Sequence, residues 1–416
     1  MSSGYDITIV GGGLVGASLA LALAQQNWRV AVLERAPFRD VAPPTYDDRT
    51  LALSLASRNI LDAIGLWQGL ASDSQGQQSL TPIRSVQVTN KGYPGVVNIR
   101  AQEQGLEALG YVVQARTLGQ QVLQRLPAAS GIDLLVPCEV AEVVTRQQAV
   151  DVRYTKDGQT HTLTTRLLIG ADGTHSQVRA AVDIEAEHYD YHQRAIIANL
   201  TPQTPHQGRA FERMTHTGPL AMLPHIEGRC GVVWTCNDDQ ADEILALDNE
   251  RFLAALQSRF GYRLGLLDRV GVRASYPLSR VTVNTPVAQR TVLVGNAAHT
   301  IHAVAAQGFN LGLRDVAALC EVLADAKAND GDPGSAKLLD QYARWRQPDV
   351  TRTVAFTDGM VRAFAQNFAP VAIARSAGLL GLQLIPRLRS ALAHRGMGFG
   401  SDRTPAMAMD PRAFAR

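Results

Sequence analysis

The sequence predicts an α/β protein in which a parallel-sheet nucleotide-binding domain carries an inserted antiparallel β-sheet domain and ends in C-terminal helices. The first observation is an apolar run followed by a glycine-rich turn and a strong helix former, at residues 7–24. The second is a series of short strands from 194 to 281. The third is a return to one buried strand at 291–295, followed by a long helical tail. This order predicts a discontinuous domain interrupted by another.

The beginning of the chain has the pattern of a dinucleotide site. Ile7–Val10 is typical of a buried parallel strand, and Gly11, Gly13 and Gly16 follow it in G-x-G-x-x-G spacing. The first glycine permits a tight turn, the second lets the backbone approach a pyrophosphate, and the third lets helix and strand pack closely. The next strand ends on Glu34, whose carboxylate can accept both hydroxyls of an adenosine ribose. These residues predict a Rossmann-like domain.

Composition limits the class of protein. The chain has 416 residues, 46% of them hydrophobic and 19% charged, with a net charge of +2. These values are typical of a globular protein, and the chain has no basic run that would indicate a nucleic-acid partner. No apolar run reaches membrane-spanning length. The spacing of the four cysteines fits neither a zinc site nor a redox motif, so we expect buried free thiols and a cytoplasmic protein; they are Cys138, Cys230, Cys236 and Cys320.

The remaining elements follow from periodicity and turn residues. We expect helices at 56–64, 117–126 and 249–260, the last being the one helix of the inserted domain. We expect strands at 83–89, 96–99, 111–114, 134–136, 141–145, 150–154, 161–163 and 167–169. The predicted division assigns 1–74, 101–180 and 275–345 to the nucleotide-binding domain, 75–100 and 181–274 to the inserted domain, and 346–416 to the helical region.

Three further stretches have the composition of ligand-binding turns. At 170–179 a buried strand runs into Asp172–Gly173, followed by a serine and an arginine that form a polar ledge. At 294–300 and 306–315, glycine-bearing turns follow a strand and enter a helix. A turn that enters a helix leaves unpaired N–H groups where the edge of an anionic ring can bind.

In this order and spacing, the four stretches resemble the flavoprotein aromatic hydroxylases, single-component FAD monooxygenases related to p-hydroxybenzoate hydroxylase. The resemblance covers essentially the whole chain. It implies that the cofactors are FAD and NAD(P)H. It also implies that reduced flavin captures O2 as a C4a-hydroperoxide and passes one oxygen atom to a phenol ring.

The resemblance also assigns residues to parts of the cofactor. The glycine-rich turn and Glu34 would hold the ADP half of FAD, and Asp172–Gly173 would serve both the FAD pyrophosphate and the nicotinamide donor. The N-terminus of the last motif's helix would stabilise the negative charge at the flavin N1–C2=O edge, and Arg49 would lie near the flavin and the substrate entrance. The residues assigned in this way are Gly11, Gly13, Leu14, Val15, Gly16, Glu34, Arg35, Arg49, Asp172, Gly173, Asn296, Gln307, Gly308, Phe309 and Asn310.

The sequence departs from the family pattern in three places. The usual Gly-Asp is Gly295–Asn296, in which the amide can still bind a ribitol or ribose hydroxyl without charge. The usual His-Pro is His302–Ala303, and the glycine before the flavin-loop glutamine is Ala306. The family's pyrophosphate arginine is missing near residue 115, which leaves Gln114 or Arg116 as substitutes.

The resemblance narrows to the ubiquinone-pathway hydroxylases at 208–213, 218–224 and 228–234, and within them to enzymes of a polyprenylated methoxyphenol. It implies a lipidic phenol substrate and O2, with a peripheral membrane contact and a ubiquinone-biosynthesis complex as further partners. We expect an apolar strand to form a wall for the ring, with Leu220, Met222 and Pro224 as candidates. The alternative, that these side chains belong to the core, stays open because alternate residues of a strand face away.

Other interpretations remain open. Arg209, Arg213 and Arg229 could bind the carboxylate of a small aromatic substrate, and the weakened flavin motifs also fit an FAD-binding scaffold. A related flavin-dependent reductase or halogenase is disfavoured because the halogenase signature is absent. The apolar stretch 364–386, with arginines inside and after it, fits either a packed helix or a helix at a membrane surface.

Neither a metal site nor a catalytic acid or base is predicted. His299 and His302 have metal-like spacing, but we find no carboxylate or third ligand with them in the sequence. No residue is assigned to removal of the phenol proton.

Overall fold

The computed structural model describes residues 4–37, 49–71, 79–365 and 369–410. Its strands are β1 Tyr5–Val10, β2 Val30–Leu33, β3 Thr50–Ser54, β4 Leu80–Ile83, β5 Ser85–Asn90, β6 Val96–Arg100, β7 Gly110–Gln114, β8 Ile132–Leu135, β9 Glu139–Thr145, β10 Val150–Lys156, β11 Gln159–Gly170, β12 Ala186–Pro202, β13 Arg209–Thr215, β14 Gly218–Pro224, β15 Cys230–Asn237, β16 Leu267–Val270, β17 Ala274–Val283, β18 Val287–Ala288, β19 Thr291–Leu293 and β20 His299–Thr300. Its helices are α1 Leu14–Gln25, α2 Leu55–Ala63, α3 Gln68–Ala71, α4 Ala115–Arg125, α5 Gln177–Ala181, α6 Asp238–Ala246, α7 Asn249–Phe260, α8 Gln307–Ala328, α9 Ala336–Ala365, α10 Ala369–Leu384, α11 Pro386–Gly396 and α12 Ala406–Met409.

The first sheet has a parallel centre in the order β19-β11-β1-β2-β8, with β18, β10 and β9 added in antiparallel pairing. Its central strands are runs of valine, isoleucine and leucine, as expected where helices cover both faces. Side chains of α1, α2 and α8 pack with the central strands in one core cluster. The predicted Rossmann-like α/β fold is confirmed.

One strand prediction is wrong in its extent. The sequence suggests separate strands at 161–163 and 167–169, whereas β11 runs without a break from Gln159 to Gly170. Its first half pairs antiparallel with β10 and its second half parallel with β1. No glycine or proline interrupts residues 159–169, so the backbone can stay extended through the change of partner.

The second sheet is antiparallel except for the β13–β5 pair, and follows the order β20-β17-β12-β15-β14-β13-β5-β6, with β16 beside β12. Helices α6 and α7 cover one of its faces. The sequence predicts 249–260 as the one helix of the inserted domain. That prediction is wrong in number, because α6 is a second helix there. It follows β15 directly, and Asp238 and Asp239 in its first turn favour the positive end of the helix dipole.

The division into domains stays a prediction, but the residues of β17 are assigned to a different sheet from the one that the sequence suggests. The boundary at 74/75 lies outside the described residues. Strand β17 pairs with β12 over Ala274–Val283, so these residues belong to the second sheet although the sequence division assigns 275–345 to the nucleotide-binding domain. A third, small sheet has the order β3-β7-β4. Val113 of β7 belongs to the core of the first sheet, and Val112 forms a buried cluster with Ala210 of the second sheet.

The C-terminal helices pack over the second sheet. Gln383 of α10 accepts a hydrogen bond from the Asn98 N–H of β6 at 2.8 Å, and Met397 accepts one from the Ala56 N–H at 2.9 Å. Leu379 of α10 is buried against β6. Within the described ranges, no helix is both long and apolar enough to cross a membrane. The four cysteines are buried free thiols, as the sequence predicts.

Candidate active site

Three of the predicted motifs meet at the carboxyl edge of the parallel strands. A Cβ on Gly11 would lie 2.4 Å from the carbonyl oxygen of Ala171, so the first turn packs directly on the second. The hydroxyls of Thr174 and Thr300 are 2.9 Å apart and join the second motif to the third. This edge is where open α/β sheets bind their ligands.

The three glycines of the first motif have different surroundings. Gly11 has φ of 104° and no room for a side chain, and a Cβ on Gly16 would lie 2.0 Å from the carbonyl oxygen of Gly11. Among the described residues, no atom would lie within 4 Å of a Cβ on Gly13. The space in front of Gly13 therefore lies open beside the free N–H groups of α1, which is the cradle that a pyrophosphate requires.

Glu34 fixes the glycine-rich turn to the end of β2. One carboxylate oxygen accepts the N–H of Gly12 at 2.7 Å and the other accepts the N–H of Ala36 at 2.7 Å. Each oxygen has a further lone pair, so the carboxylate can also accept ribose hydroxyls. Arg35 is exposed beside it.

The second motif leaves an unsatisfied acceptor. Asp172 Oδ2 accepts the N–H groups of Gln177 and Val178 at the start of α5, at 2.7 and 3.1 Å. Its Oδ1 is buried and has no hydrogen-bond partner among the described residues. Gly173 has φ of 84°, and a Cβ built on it would have no neighbour within 4 Å in the part of the chain that the structure describes; Asn296 is exposed. Because buried acceptors are normally paired, Asp172 has capacity for a bound ligand.

The fourth motif forms the first turn of α8, but its side chains have structural partners. Asn310 accepts the Ser54 N–H at 2.8 Å and donates to the carbonyl of Ala52 at 2.9 Å, so it fastens β3 to α8. Gln307 donates to the carbonyl of Ala305 at 3.1 Å, and Phe309 packs at the edge of the first core. Near Gly308, the nearest atom to a built Cβ is 3.9 Å away, so it is the N–H groups of this turn that can face a flavin edge.

The loop before α8 is strained where the family has glycine. Ala305 and Ala306 have φ of 57° and 50°, in the left-handed region. A side chain in that region costs about 1–2 kcal/mol. The departure at Ala306 therefore changes the residue but keeps a conformation that glycine adopts more easily.

The other predicted residues stand together on the small third sheet. Arg49 is exposed, and its carbonyl accepts the Ala115 N–H at 2.8 Å. Gln114 is buried at the end of β7 and pairs with Thr50, and Arg116 follows in the first turn of α4. Because Asn310 joins this sheet to α8, Arg49 and Gln114 lie on an element tied to the flavin motif.

A buried charge cluster supports the site and was missed from the sequence. Asp315 of α8 accepts the Gly295 N–H at 2.9 Å, His299 Nε2 at 2.5 Å and Arg346 Nε at 2.7 Å. Burial alone would raise the pKa of Asp315, but His299 and Arg346 hold it below its usual range. The expectation that no carboxylate accompanies His299 is wrong. The available signal was a charged pair, Arg314 and Asp315, inside an apolar helix.

The side chain of His302 is buried in the protein and does not face the candidate cofactor site. It is fully buried, lies 3.3 Å from Gln193 Oε1, and makes an edge contact with the ring of Tyr191. Burial lowers the pKa of His302 to about 4, so the imidazole is neutral at physiological pH. Its role is to fix the loop that leads into α8, because its Nδ1 accepts the Val304 N–H.

A cavity of about 440 Å³ lies between the second sheet, the first turn of α8 and the C-terminal helices. Gln307 and Asn310 stand at one side of it, so the cavity reaches the flavin motif. Its volume suits a small organic molecule. Its lining is mostly apolar and includes Ile83, Val86, Val88, Val97, Ile99, Ala221, Leu223 and Val233 from strands, and Phe356, Met360, Phe364, Leu379, Leu382 and Leu392 from helices.

The predicted substrate residues are on the wrong face of β14. Leu220 and Met222 are fully buried in the core beneath α6 and α7, and Pro224 shares their parity. The residues between them, Ala221 and Leu223, line the cavity. A shift of one residue along a strand exchanges its faces, so the correct strand was predicted with the wrong alternation.

The comparisons with known proteins establish the class. A family described as "FAD binding domain" matches residues 4–357, and the chain belongs to it. The protein is an FAD-dependent monooxygenase of the aromatic hydroxylase class, with NAD(P)H as reductant, as the sequence predicts.

Individual relatives show which members of the class this chain is similar to. Ubiquinone hydroxylase UbiL of Rhodospirillum rubrum is 39% identical over 393 residues, covering 94% of this chain and 89% of that protein. The 3-demethoxyubiquinol 3-hydroxylase of Escherichia coli is 31% identical, covering 91% of this chain and 94% of that protein. The structure of p-nitrophenol 4-monooxygenase PnpA from Pseudomonas putida matches with a TM-score of 0.77 at 17% identity, over 97% of this chain and all of that one; that likeness supports the fold.

Proposed function

We propose that the protein hydroxylates the ring of a polyprenylated methoxyphenol in ubiquinone biosynthesis. The observation that carries the proposal is the apolar cavity, which reaches from the flavin motif at Gln307 to α10. An aromatic ring at the α8 end would leave room for an apolar chain along Leu379 and Leu382. The relatives named ubiquinone hydroxylases support the same substrate class.

The chain's residues would bind and shield the cofactor. FAD, when bound, supplies the activation of O2 and the oxygen transfer. The open space at Gly13 and the N–H groups of α1 would hold its pyrophosphate, and Glu34 its ribose. The first turn of α8 would stabilise negative charge on the reduced ring. The apolar walls of the cavity exclude water from the reacting atoms.

The positions of the arginines near the cavity disfavour a small benzoate as the substrate. Arg213 lies at an odd position of β13, on the face opposite the cavity, and donates to the Arg259 carbonyl at 2.7 Å. Arg209 shares that parity, and Arg229 pairs with Glu227. The arginines that do line the cavity are engaged within the protein: Arg314 with Asp349, Arg352 with Asp402, Arg375 with the Ala363 carbonyl and Arg395 with the Arg352 carbonyl. Among the described residues, Arg314 Nη1 and Arg375 Nε have no hydrogen-bond partner, so a carboxylate at either arginine would share the guanidinium group with its present acceptor rather than find an unpaired charge.

We also propose that the outer face of α10 and α11 docks on a lipid bilayer. The inner face of α10 lines the cavity through Leu379 and Leu382, while Leu384 on the outer face is 76% exposed. Exposed apolar side chains next to arginines fit an anionic membrane surface. A lipidic substrate could then pass from the bilayer into the cavity along α10. The residues of this outer face are Ile373, Leu380, Leu384, Ile385, Arg387 and Leu388.

The substrate assignment can be tested in cells that lack the protein. We expect them to accumulate a prenylated ubiquinone precursor that lacks one ring oxygen, identified by mass spectrometry. The wild-type gene should restore ubiquinone, whereas Ala221→Phe, which fills the cavity, should not. Val144→Phe, on an exposed strand of the first sheet, is the control. Normal ubiquinone in the deletion strain, with no precursor, would contradict the proposal.

A further inference from the structure

Glu212 is an acid on the apolar sheet wall of the cavity. Along β13, the side chains at even positions face the cavity side and those at odd positions face α7. The ring of Phe211 packs against Phe260 of α7, although Phe211 also borders the cavity, and Ala210 and Glu212 line it from the other parity of the strand. Met214, the next residue of the same parity, belongs to one buried apolar cluster with Val361 and with Val304 of the loop that leads to the flavin motif. Glu212 therefore lies one strand repeat from the cluster that holds this loop.

The surroundings of Glu212 are apolar. Its neighbours in the sheet are Val88 on β5 and Ala221 on β14, and Val233 follows on β15. All three line the cavity. No hydrogen bond or ion pair joins Glu212 to another described residue, in contrast to the arginines at the helical side of the cavity. A carboxyl group in such a place has its hydrogen-bonding capacity free for a ligand.

The ionisation of Glu212 suits proton transfer near neutral pH. Burial raises the pKa of Glu212 to about 7. A catalytic base is most effective when its pKa lies near the working pH, because it is then partly ionised and still able to hold a proton.

We propose that Glu212 is the catalytic base that accepts the proton of the substrate's phenol hydroxyl. The inference rests on the proposed function. The phenol O–H bond breaks, its electron pair stays on the phenol oxygen, and the proton forms an O–H bond to the Glu212 carboxylate. The resulting phenolate is richer in electrons at the ring, where a carbon forms a C–O bond to one atom of O2 and loses its hydrogen as a proton. The other oxygen atom leaves as water, and NAD(P)H supplies the two electrons for its reduction. Glu212 returns the proton to solvent after the product leaves.

The test compares the FAD-loaded wild type with Glu212→Gln, and uses Glu250→Gln as a control with the same change of charge. Glu250 is exposed at the start of α7, on the other side of the same sheet. The probe is 2-farnesyl-6-methoxyphenol. Its ultraviolet difference spectrum on binding reports phenolate without turnover, and product mass reports hydroxylation.

We expect the wild type to bind the probe as phenolate at pH 7.5 and Glu212→Gln to bind it as neutral phenol. Loss of a general base should lower the hydroxylation rate by about 10²–10⁴-fold. The amount of FAD bound to the purified variant should equal that of the wild type. The wild-type rate should rise with pH through about 7, and Glu212→Gln should lack this limb. A ring-fluorinated probe ionises more easily. It should therefore raise the hydroxylation rate of Glu212→Gln by a larger factor than that of the wild type. Glu250→Gln should behave as the wild type.

The outcomes separate the two proposals. A phenolate band in Glu212→Gln, or a rate within about threefold of the wild type, overturns the role of Glu212 while hydroxylation by the wild type upholds the proposed function. A wild type that binds phenolate without hydroxylating it supports the base and contradicts the proposed reaction. A wild type that neither binds nor hydroxylates the probe overturns both. If Glu212→Gln does not retain FAD, Glu212→Asp carries the same test, with partial loss of rate expected.

Discussion

At the scale of the residue, identical amino acids in one motif have different physical reasons to be there. Gly11 and Gly16 are required by the protein itself, because each would place a Cβ against backbone. Gly13 is required by nothing in the described protein, and the space in front of it is open. The sequence spacing predicts all three glycines, but only the structure separates the packing residues from the ligand-facing one.

This difference predicts opposite behaviour for two alanine substitutions. Gly13→Ala should change the free energy of unfolding of the apoprotein by no more than about 1 kcal/mol, yet weaken FAD binding by tenfold or more, about 1.4 kcal/mol. Gly11→Ala should destabilise the apoprotein by about 2–4 kcal/mol, through its positive φ and the contact with Ala171. Urea unfolding and FAD titration measure both quantities. An unchanged FAD affinity in Gly13→Ala would contradict the pyrophosphate assignment.

At the scale of the element, the sequence predicts strands and helices better than it predicts their faces. The 220–224 stretch is a strand, but apolar residues occupy both of its faces, so hydrophobicity alone does not show that Leu220 packs under α7 and Ala221 faces the cavity. The polar residue opposite Ala221 on the adjacent strand β13, Glu212, carries the information instead. A single acid in an apolar, alternating strand indicates the face that is not core.

The charge cluster on α8 and α9 predicts a loss of stability when Asp315 is changed. Asp315→Asn removes the charge that pairs His299 and Arg346 in a fully buried site, and breaking a buried pair costs about 3–5 kcal/mol. The control Asp242→Asn breaks an exposed pair with Arg194 and should cost less than about 1 kcal/mol. Urea unfolding at pH 7.5 measures the difference. Equal losses in the two variants would show that the cluster does not support the α8–Gly295 contact.

The same cluster sets the acid limit of stability. Arg314 and Arg346 outweigh the effect of burial and hold the pKa of Asp349 below the ordinary aspartate value of 3.8, and the pKa of Asp315 is lowered as well. Carboxyl groups with a lowered pKa contribute stability that is present above the ordinary value and is lost as pH falls through the lower one. The wild type should therefore lose stability below pH 4 more steeply than Asp315→Asn.

The outer face of α10 predicts membrane binding that depends on single side chains. Leu384→Glu should reduce flotation with phosphatidylglycerol vesicles by about tenfold or more, because burying one leucine contributes about 1.5–3 kcal/mol. Leu266→Glu, an exposed leucine beside the second sheet, is the control and should float as the wild type does. Removal of the whole tail after residue 360 is a poor test, because Leu379 and Met397 belong to the packed core. Equal flotation of both variants would contradict the proposed docking face.

At the scale of the whole molecule, the order of domains follows from the sequence because each sheet has its own pattern. Continuous apolar runs indicate the parallel sheet, and short alternating runs indicate the antiparallel one. The contacts that unite them are not visible in the sequence. Asn310 joins β3, and Asp315 joins Gly295 and Arg346, across separations of 20 to 258 residues. The cavity also depends on such long-range contacts, because several strands, the N-terminus of α8 and the C-terminal helices each supply one wall.

The central claim is tested most directly by reducing the FAD-loaded protein anaerobically with NAD(P)H in the presence of one aromatic compound. O2 is then added, and the mass of the product is determined by mass spectrometry. We expect 2-farnesyl-6-methoxyphenol to stimulate flavin reduction and to gain one oxygen atom, because the lining of the cavity is mostly apolar. We expect p-hydroxybenzoate to do neither. Conversion of p-hydroxybenzoate to its dihydroxy product, with the prenylated phenol unchanged, would contradict the account.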